Sequence, residues 1–282
     1  MRNRSHKWRR RVNLVVQILS STAALAGVAA LGWILIEVAV RGAAALNFAF
    51  FTQLPTPPGM PGGGLASAIV GTLLMTVLAS LSGIMIGVFT GVYLSEFGRS
   101  TLFASSVRMG TNVLMGTPSI IIGVFIYALL VAPMGHFSGY AGAAALAIII
   151  VPVVARTTED MLGLVPNELR EAALAIGAPR WKMTMGIVFR SAKAGLLTGV
   201  LLAIARISGE TAPLLFTALN SPYWPKSLTE PTANLTVTVF NYAMSPYADW
   251  QRMAWGASFI ITGSVLLLTV AARGFLLMKR ER

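Results

Sequence analysis

Arg206 and Glu210 carry the chemistry in this sequence that is hardest to leave unused. Both fall in an apolar run from about Ala194 to Leu219. Arg206 lies about twelve residues into that run, roughly 18 Å deep at about 1.5 Å per residue. A charged side chain near the centre of a bilayer costs about 2.5–3.5 kcal/mol on insertion scales, so a partner or a function must offset it. A glutamate four residues further along a helix shares a face with the arginine and comes within its reach. Two readings follow. The pair is a self-neutralising structural element, or it stands in a water-filled path where Arg206 meets an anion and Glu210 holds or releases the arginine. A guanidinium presents a planar fork of donors suited to a tetrahedral oxyanion. Ala203, Ser208, Gly209 and Thr211 let neighbouring helices approach closely here, and Pro213 loosens the backbone beyond.

Three other residues are candidates for the same path. Arg156 closes an apolar run beside Thr157 and Thr158, where it either snorkels to the interface or lines the route. Thr117 and Ser119 flank Pro118 and place two hydroxyls at a helix break; they touch substrate or cap backbone groups. No nucleophile elbow, metalloprotease helix or G-x-x-x-x-G-K-[ST] phosphate loop occurs, so no catalytic residue is expected and any work with ATP falls to another chain. Without cysteine, and with only His6 and His136 far apart, the sequence offers no disulfide, thiolate site or metal site.

The elements that must hold these residues are membrane helices. The chain is 55% hydrophobic and 11% charged, with mean hydropathy +0.72, where soluble domains carry about 25% charged residues. Six spans are expected, at about 12–40, 66–94, 109–132 (interrupted at Gly116–Ser119), 140–155, 194–219 and 253–272. The first is too long for the apolar core of a signal peptide. The organisation is therefore a basic N-terminus 1–11, a first helix 12–40, a proline- and glycine-rich loop 41–65, a five-helix core 66–272 and a basic tail 273–282. Within the core lie a charged segment, 156–193, and a polar loop, 220–251. Eighteen of the 22 Lys and Arg fall in 1–11, 95–108, 156–193 and 273–282. Those four segments lie on one side, so the positive-inside rule puts both termini in the cytoplasm and 41–65 and 220–251 outside. The same rule accounts for the net charge of +12 without nucleic acid. Tyr223, Trp224, Tyr247, Trp250 and Trp255 read as an interfacial belt.

Segment 156–193 has a pattern of its own. Leu169, Ala172, Ala173 and Ile176 recur at i, i+3, i+4 and i+7, an apolar face about two turns long. Asn167 after Pro166 serves as N-cap, Glu168 and Glu171 occupy the first turn, and Gly177 and Pro179 stop the helix. Nothing else in the chain is evident for that face to bury against, so it should dock on another protein.

Glu171-Ala172-Ala173-x-x-x-Gly177, with Ile187 ten residues on, resembles the EAA signature of type-1 ABC importer permeases. The resemblance implies an all-α membrane protein with six transmembrane helices, a MetI-like core and a cytoplasmic coupling helix. Glu171, Ala172, Ala173 and Gly177 would then belong to the helix that docks in a cleft of a separate ATPase. The signature usually closes I-x-L-P; here it reads Ile187-Val188-Phe189-Arg190, which alters only the return to the membrane. The runs GGGLASAI (62–69), GVYLSEFGR (91–99), LREAALAIGAPRWKM (169–183), LLAIARISGETAPLLFTAL (201–219) and FNYAMSPYADWQ (240–251) look like the phosphate branch of that family. This implies import of inorganic phosphate across the bacterial inner membrane, with Arg206, Glu210 and Arg156 on its route. The implied partners are a sister permease, two copies of the ATPase and a periplasmic phosphate-binding protein. ATP and Mg would be bound by the ATPase, leaving no cofactor in this chain. The alternatives are a permease for sulfate, molybdate or a phosphonate, and a membrane-embedded enzyme acting on phosphate groups.

Overall fold

Apolar runs of this length fold as helices because only a helix satisfies its own backbone in lipid. The computed structural model describes residues 6–98 and 100–278; Arg2, Arg4, Arg99 and the tail Lys279–Arg282 lie outside the described residues. In chain order the helices are α1 (His6–Ala45), α2 (Phe48–Thr52), α3 (Ala66–Val92), α4 (Leu102–Gly116), α5 (Ser119–Ile126), α6 (Ala132–Met134) and α7 (Gly139–Gly163). They are followed by α8 (Asn167–Ala175), α9 (Arg180–Met183), α10 (Phe189–Ile207), α11 (Ala212–Leu215), α12 (Leu235–Ala243) and α13 (Ala248–Met278). Single π-helical turns end α3 (Tyr93–Phe97), join α5 to α6 (Tyr127–Val131) and join α9 to α10 (Thr184–Val188). Among the described residues there is no strand.

Among the described residues, five stretches are long and apolar enough to cross a membrane: α1, α3, α7, α9 through α10, and α13. The pair α4 and α5–α6 qualifies jointly, bent by 104° at the break the sequence marks with Thr117 and Pro118. Its two ends reach opposite ends of α7. Arg108 of α4 bonds Glu159 near the Gly163 end, while Ser138, just after α6, is the N-cap of α7 and accepts from Ala141 N at 3.1 Å. The bent pair therefore makes the sixth crossing.

The third crossing begins at Leu102 rather than 109, the loop 220–251 contains α12 and the start of α13, and two further boundaries differ more. The fifth crossing spans Arg180–Ile207 rather than 194–219. The charged segment 156–193 is largely helix: α7 runs on to Gly163 and the next crossing starts at Arg180, leaving only 164–179 between them. On the extra turns of α7 the charges pair along and between helices, Arg156 with Asp160 at 3.1 Å and Glu159 with Arg108 at 2.6 Å, and so extend that helix beyond its apolar part.

Glycine spacing sets the core. A Cβ on Gly83 would meet Ile150 Cγ2 at 2.1 Å, one on Gly87 would meet Val154 Cβ at 2.7 Å, and one on Gly91 would meet Thr158 Cβ at 2.5 Å. The constant offset makes α3 and α7 parallel, with backbones as close as small residues every fourth position allow. Met75, Ala79, Leu146, Ile150, Val154, Ala203, Ile207 and Leu214 fill the cluster around this seam. α10 crosses antiparallel, with Gly195 on Met161 and Gly199 on Thr157. A second cluster at the Ser138 end packs Phe50 and Leu65 against Tyr242, Met253 and Ala257. α1 stands apart. Residues 8–31 are all exposed, and its last turns meet α13, with Gly42 against Phe259 and Trp255.

Candidate functional site

The antiparallel contacts Gly195·Met161 and Gly199·Thr157 give α10 a register on α7. Continued along both helices, it puts Arg206 level with Ile150, near the middle of α7. Ala203, Ala205 and Ile207 turn inward and are buried; Arg206 and Leu202 lie exposed on another face. The Arg206 guanidinium has no ion pair or hydrogen bond among the described residues.

α10 ends one residue later. Gly209 weakens the helix, and Pro213 has no N–H to give the Gly209 carbonyl, so regular bonding lapses over 208–211. Glu210 is thus beyond the helix end, and the pairing with Arg206 expected from their spacing does not form. Glu210 is half-buried, and its carbonyl oxygen accepts the Thr236 hydroxyl at 2.8 Å.

A second break lies nearby. Thr117 and Pro118 are extended (ψ 130° and 132°) between α4 and α5. The Thr117 hydroxyl donates to Val113 O at 2.8 Å, which caps the end of α4. Ser119 opens α5, and its hydroxyl bonds no described residue. Gly123 of α5 packs on Pro213: a Cβ there would lie 2.6 Å from Pro213 Cα. Both breaks are therefore within about one helical turn, roughly 6 Å, of this contact. Pro152 interrupts α7 at the same level and leaves the Ile148 carbonyl without its helical donor. Irregular backbone at membrane depth is tolerated where protein buries it or where it lines a water-filled cavity.

Arg156 is held apart from this group. It pairs with Asp160 at 3.1 Å and Glu159 at 3.7 Å, and Glu159 also accepts from Arg108 Nε at 2.6 Å. It lies six residues along α7 from the level of Arg206, roughly 9 Å away. A cavity of about 670 Å³ at the Ser138 end, between the 54–58 loop, Asn220–Tyr223 and Tyr242, has no charged lining residue, so an anion meets no cation there.

The other candidate surface is α8. Leu169, Glu171, Ala172 and Ile176 point outward, Ile176 being 84% exposed. Ala173 does not belong to that face. It is 3% exposed and sits with Leu162, Val165, Met183 and Val188 inside the chain. An apolar stripe two turns long is wider than one contact: its Ala173 edge seals α8 to the rest of the chain and its Ala172 edge remains free. The helix starts at Asn167, with Pro166 in the cap position expected for Asn167. Gly177 takes φ +81°. Its N–H donates to Leu174 O at 2.9 Å and that of Ala178 to Ala173 O at 3.1 Å, a Schellman ending that only a residue free to adopt positive φ accepts easily.

One pair went unseen in the sequence. Arg170, 6% exposed, gives Nη2 to Glu96 Oε1 at 2.8 Å and Nε to Glu96 Oε2 at 3.2 Å. It also donates to the carbonyls of Leu162, at 2.7 Å, and Val165. Glu96 and Arg170 are 74 positions apart and each sits in a charged patch that reads as solvated, so no spacing rule connects them.

Residues 83–278 match the family described as binding-protein-dependent transport system inner membrane component. The chain belongs to that family. This permease is thus a multi-pass transport subunit and not an enzyme. It is 47% identical over 280 residues to the phosphate transport system permease protein PstA of Yersinia pestis, covering 99% of this chain and 95% of that one. It is 46% identical over 273 residues to the PstA of Haemophilus influenzae, covering 97% and 96%. The inward-facing MetNI methionine ABC transporter superposes with a TM-score of 0.62 at 21% identity, over 74% of this permease and 93% of that chain. That likeness shows the fold: an all-helical MetI-like permease core of the type-1 ABC importers.

Proposed function

We propose that this permease carries inorganic phosphate inward across the bacterial inner membrane as one half of an ATP-driven importer. The observation that carries the reading is Arg206, a guanidinium unpaired among the described residues, at mid-depth of an apolar bundle and beside two helix breaks. A lone arginine cannot face lipid there without several kcal/mol of cost, on the order of 2.5–3.5 on insertion scales. It therefore faces a water path or a partner helix, and an oxyanion fits its fork. The resemblance to permeases named for phosphate supports the cargo. Ser119 offers a hydroxyl donor at the α5 break, and Glu210 stands close enough in sequence to follow the arginine when the 208–211 segment moves.

The same resemblance supports the assembly: the sister permease PstC as heterodimer, two copies of the ATPase PstB at the α8 surfaces, and delivery by the phosphate-binding protein PstS. ATP and Mg reside on the ATPase. The excess of Lys and Arg at the α8 end supports cytoplasmic termini. The test is ATP-driven uptake of labelled phosphate by the assembled transporter in liposomes, with sulfate and molybdate as competitors. Phosphate uptake resistant to both supports the reading; transport of sulfate or molybdate in preference to phosphate overturns it.

A further inference from the structure

We infer that Glu96 and Arg170 form the rigid tie through which displacement of the docking helix α8 reaches the membrane helices. They are then positioning residues for transport. The inference rests on the reading of α8 as the ATPase-docking element.

The geometry is that of a link with few soft joints. Arg170 makes two hydrogen bonds to one carboxylate and two to backbone carbonyls, so its planar fork is fixed in orientation and position. Both side chains are nearly buried, 8% and 3% exposed. Stability alone does not call for such a pair, because well-packed apolar residues of similar volume are often as good or better. Ala173 already supplies apolar sealing next to it. What the ion pair adds is direction: the carboxylate cannot be displaced without dragging the guanidinium, or leaving a buried charge bare.

The link continues beyond Glu96. That residue lies in the π-helical turn Tyr93–Phe97, where the Leu94 carbonyl accepts Arg108 Nη2 at 2.8 Å. Arg108 also bonds Glu159 of α7 at 2.6 Å. One continuous set of polar contacts thus runs from α8 to the end of α3, then to α4 and α7. The other end of α4 is the Thr117–Pro118 break beside the level of Arg206. Single π turns recur at functional joints, and this one occupies the position where α3 receives the pull of α8.

The test uses the complete transporter in liposomes with its binding protein. Two quantities are read: stimulation of ATP hydrolysis by phosphate-loaded binding protein, and phosphate moved per ATP. Arg170→Lys keeps the charge but loses the fork; it should assemble fully and lower stimulation by about 2- to 30-fold, the range residues along coupling networks command. Glu96→Gln should do the same. The exchange Glu96→Arg with Arg170→Glu should recover part of the loss. Normal stimulation and stoichiometry in Arg170→Lys and Glu96→Gln overturn the inference. So does a loss that only tracks a falling Tm and failed co-purification of the ATPase, with no recovery in the exchange. A wild-type complex that answers to another oxyanion instead of phosphate rejects the cargo, and the tie is then measured with that anion.

Discussion

Arg206 and Glu210 stand on different stretches of backbone. The arginine is on the last turn of α10, and the glutamate follows the helix end, where its carbonyl is fixed by the Thr236 hydroxyl at 2.8 Å. The positive charge at mid-depth is consequently not cancelled by the acid nearest to it in sequence.

This separates the two side chains by experiment. Arg206→Gln should fold and assemble but lower phosphate uptake about 10- to 150-fold, as expected for losing one charge-assisted contact of about 1.5–3 kcal/mol. Arg206→Lys should fall between Gln and wild type, because it keeps charge without the fork. Adding Glu210→Gln to Arg206→Gln should restore nothing. Recovery of uptake in that double variant would make the two a structural pair.

Neighbouring alanines of the EAA run should give opposite phenotypes. Ala172 faces outward and Ala173 is buried. Ala172→Arg should leave Tm unchanged while the ATPase no longer co-purifies. Ala173→Arg forces a long side chain between Val165 and Met183 and should destabilise by about 1–3 kcal/mol or more, seen as a lowered Tm of the solubilised permease. Equal behaviour of the two variants in both measurements would reject the division of the helix into an inner and an outer face.

The α3·α7 seam should be intolerant of a single methyl group. Gly83→Ala and Gly91→Ala would place Cβ atoms 2.1 Å from Ile150 Cγ2 and 2.5 Å from Thr158 Cβ. Loss of folded yield is the expected result. Gly32→Ala on α1, with nothing within 4 Å, should be neutral or slightly stabilising, by up to about 1 kcal/mol.

Orientation is open to direct labelling because the chain has no cysteine. In the assembled complex in intact cells, Met60→Cys and Tyr223→Cys, both exposed, should react with an impermeant thiol reagent. Trp181→Cys should react only after permeabilisation. Labelling of Trp181→Cys from outside would invert the topology.

Span number, the break at Pro118 and the stop at Gly177 were legible in the sequence because each depends on local chemistry: apolar length, a missing N–H, a positive φ. The site was legible in part. Arg206 announced itself by its cost in lipid, and the EAA pattern announced α8. Its pairing with Glu210 was misjudged because Gly209 and Pro213 end the helix between them. The inward turn of Ala173 could not be read, since a stripe shows only that a face is apolar, not which partner covers each edge. The Glu96–Arg170 bond was hidden for a related reason: two charges far apart in sequence meet only after α3 and α7 have packed.

The isolation of α1 bears on how the protein is made. Residues 8–31 of this helix are exposed throughout, so it gives up little internal burial by entering the bilayer before the rest has been synthesised. Lipid association between helices is a later and separable step. With Arg9, Arg10 and Arg11 at its start, α1 can fix the orientation of everything that follows while the glycine seam of α3 and α7 does not yet exist. Biogenesis and architecture are thereby decoupled. The first helix commits the chain to a side of the membrane, and the five later crossings need only find one another.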